Sequence, residues 1–362
     1  MSAAPCERQR RDALRGRLRE MDVPAALIST LVNVRYLTGF TGSNAALLVC
    51  ADGRDVFATD GRYTDQAAAQ LPDVERVTSR SLVPDLVTVA NEKPLSGLAL
   101  ETHTLSADDR DTVGKSFNGR IRRLGEAVER LRIVKDEAEI GALRSACRIS
   151  VEALEQLLQG PFVGRTEREV ARDLEWRMYA LGAEAIGFDT IVASGPHSAI
   201  PHHDPTDRRL RTGDLLKIDC GARYAGYHAD CTRTMVVGEE PSGWQREIHD
   251  LVARSQAAGR EALAPGVERA AVDRASRKVI EDAGHGDHFT HGLGHGVGLE
   301  IHEEPYLGAR AAGKLLARTP VTVEPGVYLP GRGGVRIEDT LVVGPDAPEL
   351  LTTTTRELLV VG

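Results

Sequence analysis

The chain has 362 residues, 41% of them hydrophobic and 27% charged, enough for two ordinary domains with buried cores. Its 45 basic and 53 acidic side chains leave a net charge of −8, which argues against nucleic acid or an anionic membrane surface as the main partner. No apolar run reaches the roughly 18–20 residues that span a bilayer, and five scattered cysteines without a CxxC spacing fit reduced thiols in a cytoplasm rather than a disulfide framework.

The Arg-rich stretch up to Glu20 has no apolar segment after its charges, and Glu7, Asp12 and Glu20 interrupt it. It reads as a first helix, not as a leader. Strands are expected over 45–50, 55–60 and 98–101, with helices over 63–71 and 82–90. That alternation predicts an α/β domain over residues 1–129. The turn Thr38–Asn44 is read as a loop between strands. No GxGxxG or GxxxxGK[ST] phosphate cradle occurs there.

A second domain is expected over 130–362. Ile140, Leu143, Cys147, Val151, Leu154 and Leu158 form a helical stripe, opened by the capping pair Asp136 and Glu139 and closed by Gly160-Pro161. Thr166 with Glu169 opens a second helix that runs to about Gly182. Strands over 215–221 and 230–238 follow, joined by a turn. Ser242 with Gln245 then caps a helix ending at Pro265-Gly266, and another runs to Gly284. At an offset of 102, Gly164, Val170, Arg172 and Gly182 match Gly266, Val272, Arg274 and Gly284. The domain therefore reads as two related halves, each a helix pair followed by strands.

The strands of this domain carry the polar residues. Asp219, Asp230, Glu324 and Glu338 each sit in a locally apolar, strand-like segment, and His295 sits in HGLGHGVGLEIHEEP. An inward carboxylate is costly unless it is paired or binds a cation. Lys217 and Arg336 are the only cations within two residues of the four acids, which favours a metal centre over an ion-pair network. Oxygen-rich ligation with one imidazole favours Mn²⁺, Co²⁺, Fe²⁺ or Zn²⁺. Five side chains exceed the needs of one tetrahedral ion and suit two.

His291, His295 and His302 do not make a zinc-protease helix of the HExxHxxGxxH kind. Gly292 replaces the glutamate, the last spacing is one residue too long, and glycines at 292, 294, 296 and 298 oppose a helix. Period-two glycines instead predict a strand that another chain segment approaches closely. The seven residues between His295 and His302 turn the two rings to opposite faces of a regular strand, so a shared pocket requires the strand to bend or end between them. Cys220 and Cys231 follow two of the aspartates and are expected on the opposite face, as core thiols. His202 and His203 are adjacent; one is expected to face inward and His203 to be solvated.

These segments are recognisable together. NVRYLTGFTGSNAALL and TDGRY resemble the creatinase-like N-terminal domain, and SGPHSAIPH, IDCGARYAGYHADCTRT, HGLGHGVGLEIHEEP, TVEPGVY and GGVRIEDT follow in order the catalytic domain of the pita-bread metallopeptidases: creatinase, methionine aminopeptidase, prolidase and aminopeptidase P. The resemblance implies an α/β N-terminal domain followed by an α+β pita-bread domain with internal pseudo-two-fold symmetry. It implies two divalent ions, Mn²⁺ first among them, with Asp230 and Glu338 bridging, Asp219 on one ion, and His295 and Glu324 on the other. It further implies His202 and His302 as substrate-facing catalytic groups, Glu324 as proton shuttle, and His291 and Arg336 beside the substrate, with Arg336 steadying a ligating carboxylate.

The activity it implies is cleavage of the bond between an N-terminal residue and proline in small peptides, by a cytoplasmic homodimer. Dipeptides are slightly favoured over longer peptides, although Tyr306 stands where some prolidases place an arginine. A methionine aminopeptidase-like specificity is the first alternative. A metal-free creatinase-like enzyme or a non-catalytic binding protein is the second, and both would be expected to have lost ligands.

Overall fold

The computed structural model describes residues 4–362. The chain divides into two compact units, Met1–Arg132 and Ile133–Gly362.

The first unit begins with helix α1 (Ala4–Glu20), strand β1 (Ala25–Ile28) and helix α2 (Leu31–Thr38). β2 (Ala45–Cys50) and β3 (Val56–Thr59) follow, then α3 (Thr64–Gln70), β4 (Glu75–Thr78), α4 (Leu82–Glu92), β5 (Gly97–Leu100), α5 (Ala107–Ser116), β6 (Arg120–Arg123) and α6 (Ala127–Arg132). The strands form one mixed sheet in the order β4-β3-β2-β1-β5-β6. Its central strands are apolar on both faces, as the runs AALI and AALLVC require, and every residue of β1, β2 and β3 is buried. The loop after Thr38 joins α2 to β2, so it follows a helix and not a strand. Gly39, at φ 73°, ends α2 in the left-handed region that favours glycine.

The second unit repeats one plan twice. Its first half has α7 (Glu137–Leu158), α8 (Glu167–Ala180), β7 (Ala185–Ile186), β8 (Ile191–Ser194), β9 (Leu215–Cys220), β10 (Ala222–Tyr224), β11 (Tyr227–His228) and β12 (Cys231–Val237). The second half has α9 (Gly243–Glu261), α10 (Arg269–Asp282), β13 (Gly294–Gly296), β14 (Glu303–Leu307), β15 (Pro320–Val323), β16 (Gly326–Leu329), β17 (Gly333–Arg336) and β18 (Asp339–Val342). Short strands β19 (Glu349–Leu350) and β20 (Val360–Val361) close the chain. The main sheets run β20-β12-β9-β8 and β14-β13-β15-β18-β19, with β16-β17 as a separate hairpin.

Caps set the helix starts. Asp136 accepts from the Glu139 amide and Glu139 from the Asp136 amide, both at 2.9 Å. Thr166 and Glu169 reciprocate in the same way at 2.8 and 3.1 Å, and Gln245 accepts from the Ser242 amide at 2.8 Å. The offset of 102 is visible in the backbone. Gly164 N donates to Leu210 O at 2.9 Å and Gly266 N to Leu315 O at 2.8 Å, and Val170 and Val272 are both fully buried. Each half also has its own core. Leu154, Leu174 and Ile218 belong to the first; Leu251, Val272 and Val323 belong to the second.

β9 and β12 pair antiparallel, with Asp219 opposite Thr232. Alternation then divides β9: Leu216, Ile218 and Cys220 enter the first core, leaving Lys217 and Asp219 on the other face. Cys220 and Cys231 are buried thiols, as expected.

Candidate metal centre

Asp219 is the one acid of the four that lies inside a strand. The expectation of an acid within each strand is corrected for the others: Asp230 precedes β12, Glu324 lies between β15 and β16, and Glu338 between β17 and β18. The reason is in the backbone hydrogen bonds. Pro325 has no amide to continue a ladder, Glu324 N donates to Leu293 O at 2.8 Å, and Glu338 N donates across to Thr232 O at 3.1 Å. The chain turns at each acid, which lets carboxylates from different sheets converge.

They do converge. Single ligand atoms of Asp230, His295 and Glu338 lie within 4.8 Å of one another. His295 Nε2 is 3.5 Å from Asp230 Oδ2 and 3.3 Å from Glu324 Oε1. His295 Nδ1 lies 3.0 Å from Gly296 O; donating there places the proton on Nδ1 and frees the Nε2 lone pair for the cluster. Asp219 joins through Arg336, whose Nη2 donates to Asp219 Oδ2. Arg336 Nε donates to Thr232 Oγ1 at 3.0 Å, and that hydroxyl donates to Glu338 Oε2 at 2.7 Å.

The close glycines make this possible. A Cβ at Gly294 would lie 2.1 Å from Thr322 O, and one at Gly296 would lie 2.4 Å from Glu304 O. The strand ends after Gly296, so the rings of His295 and His302 come together, with centroids 4.4 Å apart.

The donor set fits divalent cations. Asp219 Oδ1 and Glu338 Oε1 are buried with no hydrogen-bond partner, although the other oxygen of each is held. Among the described residues, Arg336 is the one guanidinium that pairs with these acids. Arg233 is spent on Asp339, at 2.8 Å, and Lys217 Nζ donates to the carbonyls of Ile200 and Pro201 at 2.6 and 3.2 Å. Burial, followed by the charges of Glu338 and Asp219, pushes Asp230 well above the usual carboxylate range. Burial with the charges of Glu324 and Asp219 does the same to Glu338. Burial also opposes ionisation of Glu324, but the hydrogen bond and charge of His295 outweigh it and hold that group low. Four carboxylates against one arginine and one imidazole stay ionised together only with added positive charge.

A cleft of about 780 Å³ opens beside the cluster, lined by His202, His291, His295, His302, Glu324 and Arg336 among others. Burial, with the nearby His295 charge, lowers the pKa of His302 and so favours its neutral form. Burial likewise lowers that of His291. His291 Nε2 lies 2.9 Å from the Tyr328 hydroxyl, which accepts from Arg336 Nη1 at 2.9 Å. Thr232 and Tyr328 escaped the sequence reading. The β9–β12 register could have located Thr232, since it faces Asp219. For Tyr328, which sits in TVEPGVY, no comparable signal exists.

The expectation for His203 is overturned. It is 8% exposed, and its Nε2 lies 2.9 Å from Glu167 Oε2. The buried partner was invisible in the sequence because Glu167 lies 36 residues earlier, on α8. His202 is exposed and reaches the cleft.

Residues 141–345 match the family model for metallopeptidase family M24, and residues 10–134 match that for the creatinase/prolidase N-terminal domain. The chain belongs to metallopeptidase family M24 and has the pita-bread fold. It is 36% identical over 349 residues to the Xaa-Pro dipeptidase of Pyrococcus furiosus, covering 94% of this chain and 96% of that protein. The solved structure of an Xaa-Pro dipeptidase from Bacillus anthracis matches with a TM-score of 0.94 at 35% identity, over 98% of this chain and 100% of the other. That of an X-Pro aminopeptidase from Thermotoga maritima matches with a TM-score of 0.90 at 35% identity, over 97% and 99%.

Proposed function

We propose that the protein is a dinuclear-metal Xaa-Pro dipeptidase that also cleaves longer Xaa-Pro peptides. The observation that carries this reading is the convergence of Asp230, His295 and Glu338 ligand atoms within 4.8 Å beside a peptide-sized cleft, in a chain that resembles Xaa-Pro dipeptidases along its whole length. Asp219, Asp230, His295, Glu324 and Glu338 hold the ions, Mn²⁺ first, with Co²⁺, Zn²⁺ or Fe²⁺ as alternatives.

When bound, two such ions supply a water acidified to near-neutral pH and Lewis acidity for the scissile carbonyl. Glu324 takes the proton of the attacking water on a carboxylate oxygen and returns it to the leaving nitrogen. His202 and His302 donate to the developing oxyanion; a neutral His302 does so without a net charge to lose. His291 and Arg336 border the bound peptide, and Arg336 keeps Asp219 and Thr232 in place. The scissile nitrogen of Xaa-Pro carries no N–H, so a cleft that accepts the ring is required and a donor to the enzyme is not.

Tyr306 on the cleft wall, with no guanidinium at that position, and the likeness to an X-Pro aminopeptidase support activity on longer peptides as well. The buried thiols of Cys50, Cys147, Cys220 and Cys231 support a cytoplasmic setting, and no helix among the described residues is long and apolar enough to cross a membrane. A homodimer completes the reading. The test is hydrolysis of Xaa-Pro, Xaa-Pro-Yaa and Met-Ala peptides by metal-stripped protein reloaded with Mn²⁺, Co²⁺ or Zn²⁺. Faster turnover of Met-Ala than of Xaa-Pro would refute the proline specificity. Turnover that survives exhaustive chelation would refute the metal dependence.

A further inference from the structure

We infer that Glu167 is the positioning residue that holds His202 at the cleft. The inference rests on the reading of His202 as a substrate-facing group. His202 sits in a segment, 195–206, whose one regular element is the 3₁₀ turn Gly195–Ala199. An irregular segment holds a side chain in place only if its own polar groups are tied to something rigid. Here the ties at both ends meet on one carboxylate.

Glu167 lies in the first turn of α8 and is fully buried. Its Oε1 accepts from Ser194 N and Ser194 Oγ, both at 2.8 Å. Its Oε2 accepts from Thr206 N at 3.1 Å and Thr206 Oγ1 at 2.7 Å. Between these ends, His197 Nδ1 lies 3.0 Å from Oε1 and His203 Nε2 lies 2.9 Å from Oε2. His203 is buried against Glu167 while the adjacent His202 is exposed and lines the cleft. The two share a backbone, so fastening His203 to Glu167 also fixes where the His202 side chain starts. The carbonyls of the same segment are held from the other side, by Lys217 on Ile200 and Pro201 and by Arg336 on Pro201.

Glu167, His197 and His203 also have the composition and spacing of a cation site. The donor count decides against it. Arg208 Nη1 donates to Ser194 Oγ at 2.6 Å, so the Ser194 hydroxyl proton goes to Glu167. A carboxylate has about four lone-pair sites, and four donors, the amide and hydroxyl of Ser194 and of Thr206, already occupy them. The arrangement is a fastening for the loop.

The experiment is a double-mutant cycle on the metal-loaded protein with Glu167→Gln, His202→Ala and the pair. Glu167→Gln should lower kcat by about 10–100-fold with KM moving less than about threefold and metal content unchanged, the signature of lost orientation. In the His202→Ala background the same substitution should cost less than about threefold, because a residue that acts through another has nothing left to position. Hydrogen exchange over residues 194–206 should quicken in Glu167→Gln without a change elsewhere in the second unit.

Equal losses in both backgrounds would overturn the inference, as would unchanged exchange in this segment. So would tight uptake of an extra equivalent of Zn²⁺ that Glu167→Gln abolishes. If Glu167→Gln does not fold, Thr206→Val removes a single donor and should show a smaller loss with the same non-additivity; an additive loss there counts against the inference. Should the wild-type protein fail to cleave Xaa-Pro peptides, the functional reading falls, while the exchange measurement still decides whether Glu167 holds the segment.

Discussion

Glu338→Gln should make the metal-free protein more stable while destroying its metal site. In the absence of cations, Glu338 is buried, its Oε1 has no partner, and a ligand oxygen of Asp230 lies within 4.8 Å. With both groups ionised, the limit approached only as the pH rises, two unit charges at that distance repel by about 3.5 kcal/mol at an effective dielectric constant of ~20. Glutamine removes one charge, keeps the volume, and can still accept from Thr232 Oγ1. A gain of that size corresponds to a rise in melting temperature of roughly 10 °C for a unit of 230 residues. The pH dependence follows from the direction of the shift. Burial and neighbouring charges raise the pKa of Glu338 in the folded state, so its repulsion is absent at low pH, where the group is protonated in both states. It grows as the pH rises above the ordinary carboxylate value of about 4.3 and reaches its full extent above the folded-state pKa. Thermal melts of chelator-treated wild-type protein and Glu338→Gln between pH 5 and pH 8 should therefore diverge with rising pH, the variant melting higher. Adding Mn²⁺ should reverse the order, because the cation stabilises only the chain that binds it. A metal-free variant that melts below metal-free wild type at pH 8 would refute the reasoning, and would mean that the Thr232–Glu338 hydrogen bond outweighs the repulsion.

Further outcomes are expected at other positions. Asp230→Asn should reduce the metal content below two ions per chain, measured by elemental analysis, whereas His302→Ala should keep both and lose about 10²–10³ in kcat, as other single oxyanion donors do; loss of an ion from His302→Ala with retention of both in His295→Ala would exchange the two assignments. Gly294→Ala places a Cβ 2.1 Å from the Thr322 carbonyl, so it should destabilise by about 1–3 kcal/mol or more, read by urea unfolding; wild-type stability would show that β13 and β15 separate easily. Asp136→Ala removes the acceptor for the Glu139 amide at the start of α7 and should cost about 1 kcal/mol in the same assay with activity unchanged.

Much of this protein could be read locally. Helix starts depend on residues three apart, so Asp136 with Glu139 and Thr166 with Glu169 announce α7 and α8 without any tertiary information. The duplication is visible because equivalent turns need glycine at equivalent places, Gly164 and Gly266 both having φ near 85°. The metal-centre residues stand out because carboxylates flanked by Val, Ile and Cys are anomalous in a core. β4 and β6, by contrast, gave no signal: ERVT and RIRR are mostly exposed, and only their pairing with β3 and β5 makes them strands.

Tertiary structure alone decided how the acids meet and what fixes the histidines. Asp230, Glu324 and Glu338 lie at breaks between strands, and at Glu338 the backbone bond crosses to Thr232 in another sheet; sequence alternation carries no information about such crossings. Thr232 links Arg336 to Glu338 over more than a hundred residues. His203 is buried because Glu167, on α8, supplies a carboxylate partner in place of the water that a buried ring gives up. Local sequence determines which side chains are unusual for a core; their partners depend on which distant strands and helices the chain brings together, because a hydrogen bond or an ion pair is a property of two positions and a sequence motif is a property of one.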